Sequence, residues 1–444
     1  MPTKTANGRT RSSPKTTVDH ATRVGETIYP NGLKLLTLER HEVPIVTVMI
    51  WYRVGSMDEV EGHTGLAHFL EHMMFKGTDR YGKGEIDRLT QSLGGSNNAM
   101  TSRDFTSYYF SVPAGSWDEI LAIEANRMQR CLFDPEELAL EKNVVLEEIK
   151  RSDDSPFGLL DKHLFATAYT AHPFRHPILG WQSDMERVTR DDVLGFYRKH
   201  YHPGNAFLVM VGDFETAEAA RRVEAHFGRI PGKEAVREFR TREPEAQGER
   251  RIDIQFDVQT PRFQMLWRTV AGSDPDDVVF DVLTSLLTDG NTSVLHDRLV
   301  ETTRLLTEVD SINDSKTEPG VFHLLGKCAP GVAPERGVAE IDKVLARLAA
   351  RGPSRRSLEQ ARNQSEADYV FLWERVFHQA YLIGKAELFG DFRRMADYVA
   401  DVRKVSADDI RRVLSTYLRP ERRTLGTILP LSPGDAGGED EGES

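Results

Sequence analysis

At roughly 100–200 residues per domain, the 444 residues of this chain allow roughly two to four domains with ample buried core, so a peptide toxin or a lone small module is excluded. With 39% apolar and 28% charged residues it reads as a soluble globular protein, not as a low-complexity, collagen-like or coiled-coil chain. Fifty-seven Lys plus Arg against 69 Asp plus Glu leave a net charge of −12, a field that repels polyanions and argues against a nucleic-acid partner, while Cys131 and Cys328 cannot build a disulfide framework.

The first residues, MPTKTANGRTRSSPKTT, are basic, with no acid before Asp19, and lack the apolar stretch of a secretory signal. A transit peptide and a short solvated tail both fit; a disordered tail over 1–19 is the plainer reading, with a cytoplasmic location favoured. The longest apolar stretch, IVTVMIWY, falls short of the ~18 residues of a spanning helix, so no membrane insertion is expected. From Glu26, β-branched alternation around an Asn31-Gly32 turn predicts three strands in succession. Helical periodicity follows in GLAHFLEHMMFKG, with Leu66, Phe69, Leu70 and Met73 on one face and Gly77 as its stop. A helix near 84–93, strands on either side of SRDFT and a helix from Trp117 to about Leu132 come next. Asp134-Pro135-Glu136-Glu137 is a helix start, with an Asp cap, Pro in the first turn and acids at the positive end of the dipole; that helix is predicted to reach about Arg151.

The second half repeats the first. VTRDDV at 188–193, followed by Tyr201, Pro203 and a strand, recurs as VSADDI at 405–410, followed by Tyr417, Pro420 and a strand. LALEKN ending at Asn143 recurs as LEQARN ending at Asn363. The matching order and similar offsets predict an α+β fold made by tandem duplication of one α/β-roll domain, mostly antiparallel sheet flanked by helices. The expected boundaries are 20–229 for the first domain, 230–250 for a polar linker, 251–430 for the second, and 431–444 for an acidic, disordered tail.

His68, Glu71 and His72 stand as H-x-x-E-H on the first helix. Residues four apart share a helix face, so both imidazoles can converge on one ion while Glu71 projects beside them. Zinc hydrolysis needs that set: neutral imidazoles as ligands, an open position for water, and a carboxylate outside the ligand set as the base. A lone histidine on a half-buried helix is more often structural, but the full H-x-x-E-H pattern arises by chance in only about a few chains per hundred. A third ligand is expected from another element, and the helix beginning at Pro135 offers Glu141, Glu147 and Glu148. Glu141 and Glu148 are two turns apart on one face, with Glu147 about 100° away, which makes Glu148 the natural ligand and Glu141 a supporting group.

These segments, with LGGSNNAMTSRDFTSYYF and HPFRHPILGW, resemble the N-terminal half of the pitrilysin/insulinase-type zinc peptidases, the inverted-motif zincins. The length is similar to that of the β subunit of mitochondrial processing peptidase and its bacterial relatives. The resemblance implies one Zn2+ on His68, His72 and Glu148, Glu71 as general base, and peptides held along Asn98 and Ala99. From the residues themselves, Asn98, Ala99, Met100 and Thr101 can form an edge strand to which an extended peptide adds by main-chain hydrogen bonds. His172, His176, His200 and His202 are assigned structural roles.

Two departures stand out. The acidic positions that mitochondrial processing peptidase uses for a basic substrate side chain align with Gly158 and Lys162, which argues against a preference for mitochondrial presequences, and the Ser-Arg-Leu stretch of members that close around substrate aligns with Ser293-Val294-Leu295, so that Arg clamp is not expected here. The combined expectation is a zinc endopeptidase acting on extended or unfolded peptides, with a non-catalytic assembly subunit as the rival reading. The enzymes this chain resembles enclose peptides between two halves of two domains each, so the resemblance implies a second two-domain subunit as partner, a heterodimer favoured over a homodimer.

Overall fold

The computed structural model describes residues 23–234 and 241–431. The predicted tail at 1–19, residues 235–240 of the predicted linker, and all but Leu431 of the predicted acidic tail lie outside the described residues.

The first sheet holds β1 (Gly25–Ile28), β2 (Lys34–Glu39), β3 (Ile45–Tyr52), β4 (Ser96–Thr101), β5 (Thr106–Pro113) and β6 (Ala206–Gly212), in the order β1-β2-β6-β3-β5-β4. The second holds β7 (Arg250–Phe256), β8 (Arg262–Arg268), β9 (Leu306–Asp314), β10 (Val321–Cys328) and β11 (Arg423–Pro430), in the order β7-β11-β8-β10-β9. Without β1 the two orders are the same, and each has one parallel pair, β2 with β6 and β7 with β11, in an otherwise antiparallel sheet.

The helices follow the same plan. In the first half, α1 (Leu66–Met73) and α2 (Glu85–Ser92) join β3 to β4. Between β5 and β6 come α3 (Trp117–Arg130), α4 (Pro135–Asp153), α5 (Pro156–Ala168), α6 (Gln182–Met185) and α7 (Arg190–His200), and α8 (Thr216–Phe227) follows β6. In the second half, α9 (Asp277–Leu287) joins β8 to β9, while α10 (Pro334–Arg351), α11 (Arg355–Leu372), α12 (Val376–Leu388), α13 (Tyr398–Lys404) and α14 (Ala407–Thr416) join β10 to β11. The sequence repeats now have local meanings. LALEKN and LEQARN lie in α4 and α11. VTRDDV and VSADDI open α7 and α14 with capping boxes, in which Thr189 pairs with Asp192 and Ser406 with Asp409 to satisfy orphan N–H groups.

One face of the first sheet packs against α1, α3, α7 and α8 through Phe69, Leu70, Met73, Ile120, Ile123, Val193, Val223 and Phe227. Each such side chain contributes about 1.5–3 kcal/mol on burial. The other face is covered from the second half: Ala380, Ile383 and Leu388 of α12 meet Leu36, Met49, Trp51 and Phe207. The exchange is reciprocal, because Leu164, Phe165 and Ala168 of α5 meet Leu266 and Val321 of the second sheet. Glu387 of α12, nearly fully buried, is paired with Lys34 at 2.7 Å and Arg53 at 3.0 Å.

Candidate metal centre

Helix α1 begins at Gly65, whose φ of +89° favours glycine and whose Cβ, if present, would meet the Leu179 carbonyl at 2.6 Å. The buried Glu59 carboxylate accepts from the N–H groups of Gly65 and Ala67, both at 2.8 Å, and so caps the helix. Leu66, Phe69, Leu70 and Met73 enter the core as their spacing predicts, which fixes the directions of His68, Glu71 and His72. The helix ends at Met73, short of the predicted Gly77 stop; Gly77 instead shapes the loop in which Thr78 bridges to Cys131.

Helix α4 is set by the predicted Asp134 cap, which accepts from Glu136 N–H at 2.9 Å and Glu137 N–H at 3.2 Å. Its inward residues Leu138, Val145 and Ile149 turn Glu141 and Glu148 toward α1. Glu148 Oε2 then lies 3.7 Å from His68 Nε2 and 3.6 Å from His72 Nε2. Ligands about 2.0–2.2 Å from a tetrahedral ion lie roughly 3.3–3.6 Å apart, so the three donors bracket a position of that size. Among the described residues, His68, His72 and Glu148 form the one group of three metal-ligating side chains whose ligand atoms lie within 4.8 Å of one another. Two imidazoles with one carboxylate is a zinc-type donor set, and the residues fit the ion. Glu147 points away, to Lys150 at 2.6 Å.

Glu141 is one layer out. Its Oε1 lies 2.8 Å from His72 Nδ1, and its Oε2 pairs with Lys76 Nζ at 2.5 Å. Accepting the Nδ1 proton leaves the lone pair of His72 on Nε2, toward the site. Burial works against the Glu141 carboxylate, but His72 and Lys76 outweigh it and hold the group below the usual range. Burial, with the nearby His72 charge, drives His68 down to about 3, so its ring is neutral as a ligand must be. For His72 burial again favours the neutral ring, but the hydrogen bond and charge of Glu141, and the charges of Glu148 and Glu71, hold its proton above the ordinary value. A cation at the site takes that proton's place. Burial raises Glu71, against the lowering from Thr101 and His72, in the direction a general base near neutral pH requires.

Asn98, Ala99 and Met100 lie on β4, the terminal strand of the first sheet, paired on one side only, to β5. Ala99 N–H donates to the side chain of Asn98 at 2.9 Å. The other singled-out histidines are elsewhere: His172 accepts from Phe174 N–H at 3.2 Å, His176 and His202 are buried, and His200 lies beside Phe196. Lys162 is bound by Asp153 at 2.8 Å, and a Cβ at Gly158 would meet the Ser152 carbonyl at 2.4 Å. Val294 packs against the second core. Sequence reasoning missed Lys76 and the hydroxyl of Thr101, which donates to Glu71 Oε2. Lys76 was within reach, four residues beyond His72; Thr101 needed the sheet register.

A duplicated α+β fold whose first half brings two histidines and a glutamate together is the pattern of the inverted-motif zincin class. Residues 34–181 match the family model "Insulinase (Peptidase family M16)", and residues 187–365 match "Peptidase M16 inactive domain". The chain belongs to peptidase family M16. It is 28% identical over 405 residues to a zinc protease, PqqE, of Helicobacter pylori, covering 90% of this chain and 91% of that one. It is 25% identical over 420 residues to a probable mitochondrial-processing peptidase subunit beta of Arabidopsis thaliana, covering 91% and 78%. The crystal structure of a protease from Helicobacter pylori superimposes with a TM-score of 0.88 at 28% identity, covering 92% of this chain and 99% of that one. No helix among the described residues is long and apolar enough to cross a membrane.

Proposed function

We propose that this chain is a zinc endopeptidase that hydrolyses extended or unfolded peptides. The observation that carries the reading is the convergence of His68, His72 and Glu148 from two helices, with Glu71 beside them and bonded elsewhere. Zinc bound there supplies a Lewis acid that polarises the scissile carbonyl and acidifies water. Glu71 accepts the proton of the attacking water at its free Oε1 and returns it to the leaving nitrogen. Glu141 holds His72 in the tautomer that presents Nε2. Asn98, Ala99 and Met100 on the unpaired edge bind peptide backbone as an added strand, so a tightly folded substrate is excluded. We assign catalysis to residues 20–229; the half at 251–430 repeats the fold without the ligands.

A second two-domain chain completes the enclosure around the peptide, and one relative's name as a subunit supports a heteromeric assembly. The partner supplies the cation missing at Val294. The test is metal content and peptide cleavage for Glu71→Gln and Glu148→Gln, alone and with a co-expressed relative lacking the H-x-x-E-H helix. Glu71→Gln keeps about one zinc and loses hydrolysis by orders of magnitude, whereas Glu148→Gln loses zinc. A zinc-free Glu71→Gln together with a replete, active Glu148→Gln refutes the roles.

A further inference from the structure

Thr101 closes β4, the strand that carries Asn98–Met100, and its hydroxyl donates to Glu71 Oε2. Among the described residues this is the only hydrogen bond to the Glu71 carboxylate. The strand fixes the donor: Thr101 pairs with Thr106, whose own hydroxyl is held by the Val54 carbonyl at 2.9 Å. Glu71 precedes His72 directly on the same helix, three residues after His68, and its carboxylate is near enough to His72 and Glu148 for their charges to act on it. An untethered carboxylate there can become a fourth ligand, which removes the base and fills the position that water needs. With Oε2 engaged by Thr101, the plane of the carboxylate is set and Oε1 is left for water. A hydrogen bond to a charged group, out of contact with most solvent, is strong enough to enforce that choice.

We propose that Thr101 is a positioning residue, whose hydroxyl keeps the Glu71 carboxylate out of the metal's coordination and couples its aim to the strand on which peptide lies. The inference rests on the reading of Glu71 as base. A peptide added to β4 straightens and stiffens the element that carries the tether, so occupancy of the edge and alignment of the base are one event.

The test compares Thr101→Val, which keeps the β-branched shape and removes the donor, with Thr101→Ser, which keeps the donor. Thr101→Val retains the wild-type melting temperature and zinc content, and its kcat falls about 10–100-fold while KM stays within about twofold. Thr101→Ser recovers most of kcat. A readout independent of turnover is the visible absorption of the cobalt-loaded protein, which reports ligand number. It changes in Thr101→Val as Glu71 enters the coordination, and reverts in Thr101→Val combined with Glu71→Gln. Wild-type kcat and a wild-type cobalt spectrum in Thr101→Val overturn the inference, as does a Thr101→Ser variant as impaired as Thr101→Val. Activity surviving Glu71→Gln removes the base reading and this inference with it; loss there beside an unimpaired Thr101→Val overturns the inference alone.

Discussion

Helix α12 touches the first sheet through Gly384, and Gly384→Ala tests how closely the two surfaces meet. Two effects oppose each other. Alanine in a helix interior is favoured over glycine by about 1 kcal/mol. The added Cβ, however, would lie 2.3, 2.4 and 2.5 Å from three atoms of the Trp51 indole. Trp51 is fully buried and has no free direction, being packed by Phe105 at 4.7 Å, Tyr381 at 5.7 Å and Phe207 at 5.8 Å between ring centres. Nor does α12 slide easily, because Glu387 is tied to Lys34 and Arg53. Overpacking costs about 1–3 kcal/mol, and three contacts this short place the site at the upper end, leaving a net loss of about 2 kcal/mol. Gly195, exposed on α7 with nothing within 4 Å of a Cβ, is the control, and Gly195→Ala gains about 0.5–1 kcal/mol. Because each half covers the other's sheet, the cooperative unit is the whole fold of about 400 residues, for which each kcal/mol moves the midpoint by about 1–2 °C. Thermal melts therefore show Gly384→Ala lower by about 2–4 °C and Gly195→Ala slightly higher. Both variants moving upward would refute the packing argument.

Glu141→Gln weakens zinc binding about 10–100-fold in chelator competition while leaving the fold intact, since the amide holds the His72 ring less firmly; unchanged affinity would remove Glu141 from the site's support. The Glu243 carboxylate accepts from the N–H groups of Thr170, Ala171 and His172 and from the Thr170 hydroxyl. Burial alone would raise this group, but those bonds outweigh it and bring it down to about 2. With the unfolded value near 4.3, its stabilisation is full above about pH 4.5 and lost as the pH falls toward 2. Glu243→Gln is accordingly less stable than the wild type at neutral pH, and the gap in melting temperature closes on acidification; a gap independent of pH contradicts this assignment.

What could be read in the chain was what local chemistry decides. The Asn31-Gly32 turn, the strands on either side of SRDFT (the second beginning at its Thr106), the Asp134 cap and the face shared by Glu141 and Glu148 depend on neighbours within a few residues, and all are present in the structure. The repeats carried the duplication because capping boxes are local signals and recur with the fold. The end of α1 was misplaced by four residues because the bridge of Thr78 to Cys131, a contact across 53 positions, draws the chain out of the helix before Gly77. The tether from Thr101 to Glu71 depends on where β4 stops against β5, and the covering of each sheet by the other half's helix depends on the whole chain. No spacing records either.

That exchanged pair of helices means the two halves are separable in sequence but not in surface. A break in the backbone between residues 235 and 240 leaves α12 on the later fragment and its apolar seat, Leu36, Met49, Trp51 and Phe207, on the earlier one, while α5 and its seat are divided the other way. Either fragment alone exposes a sheet face to water; together they bury both. A nicked molecule should therefore stay in one piece, and fragments produced separately should recognise each other, so that the candidate metal site on α1 and α4 comes to depend on a helix more than 200 residues further along the chain.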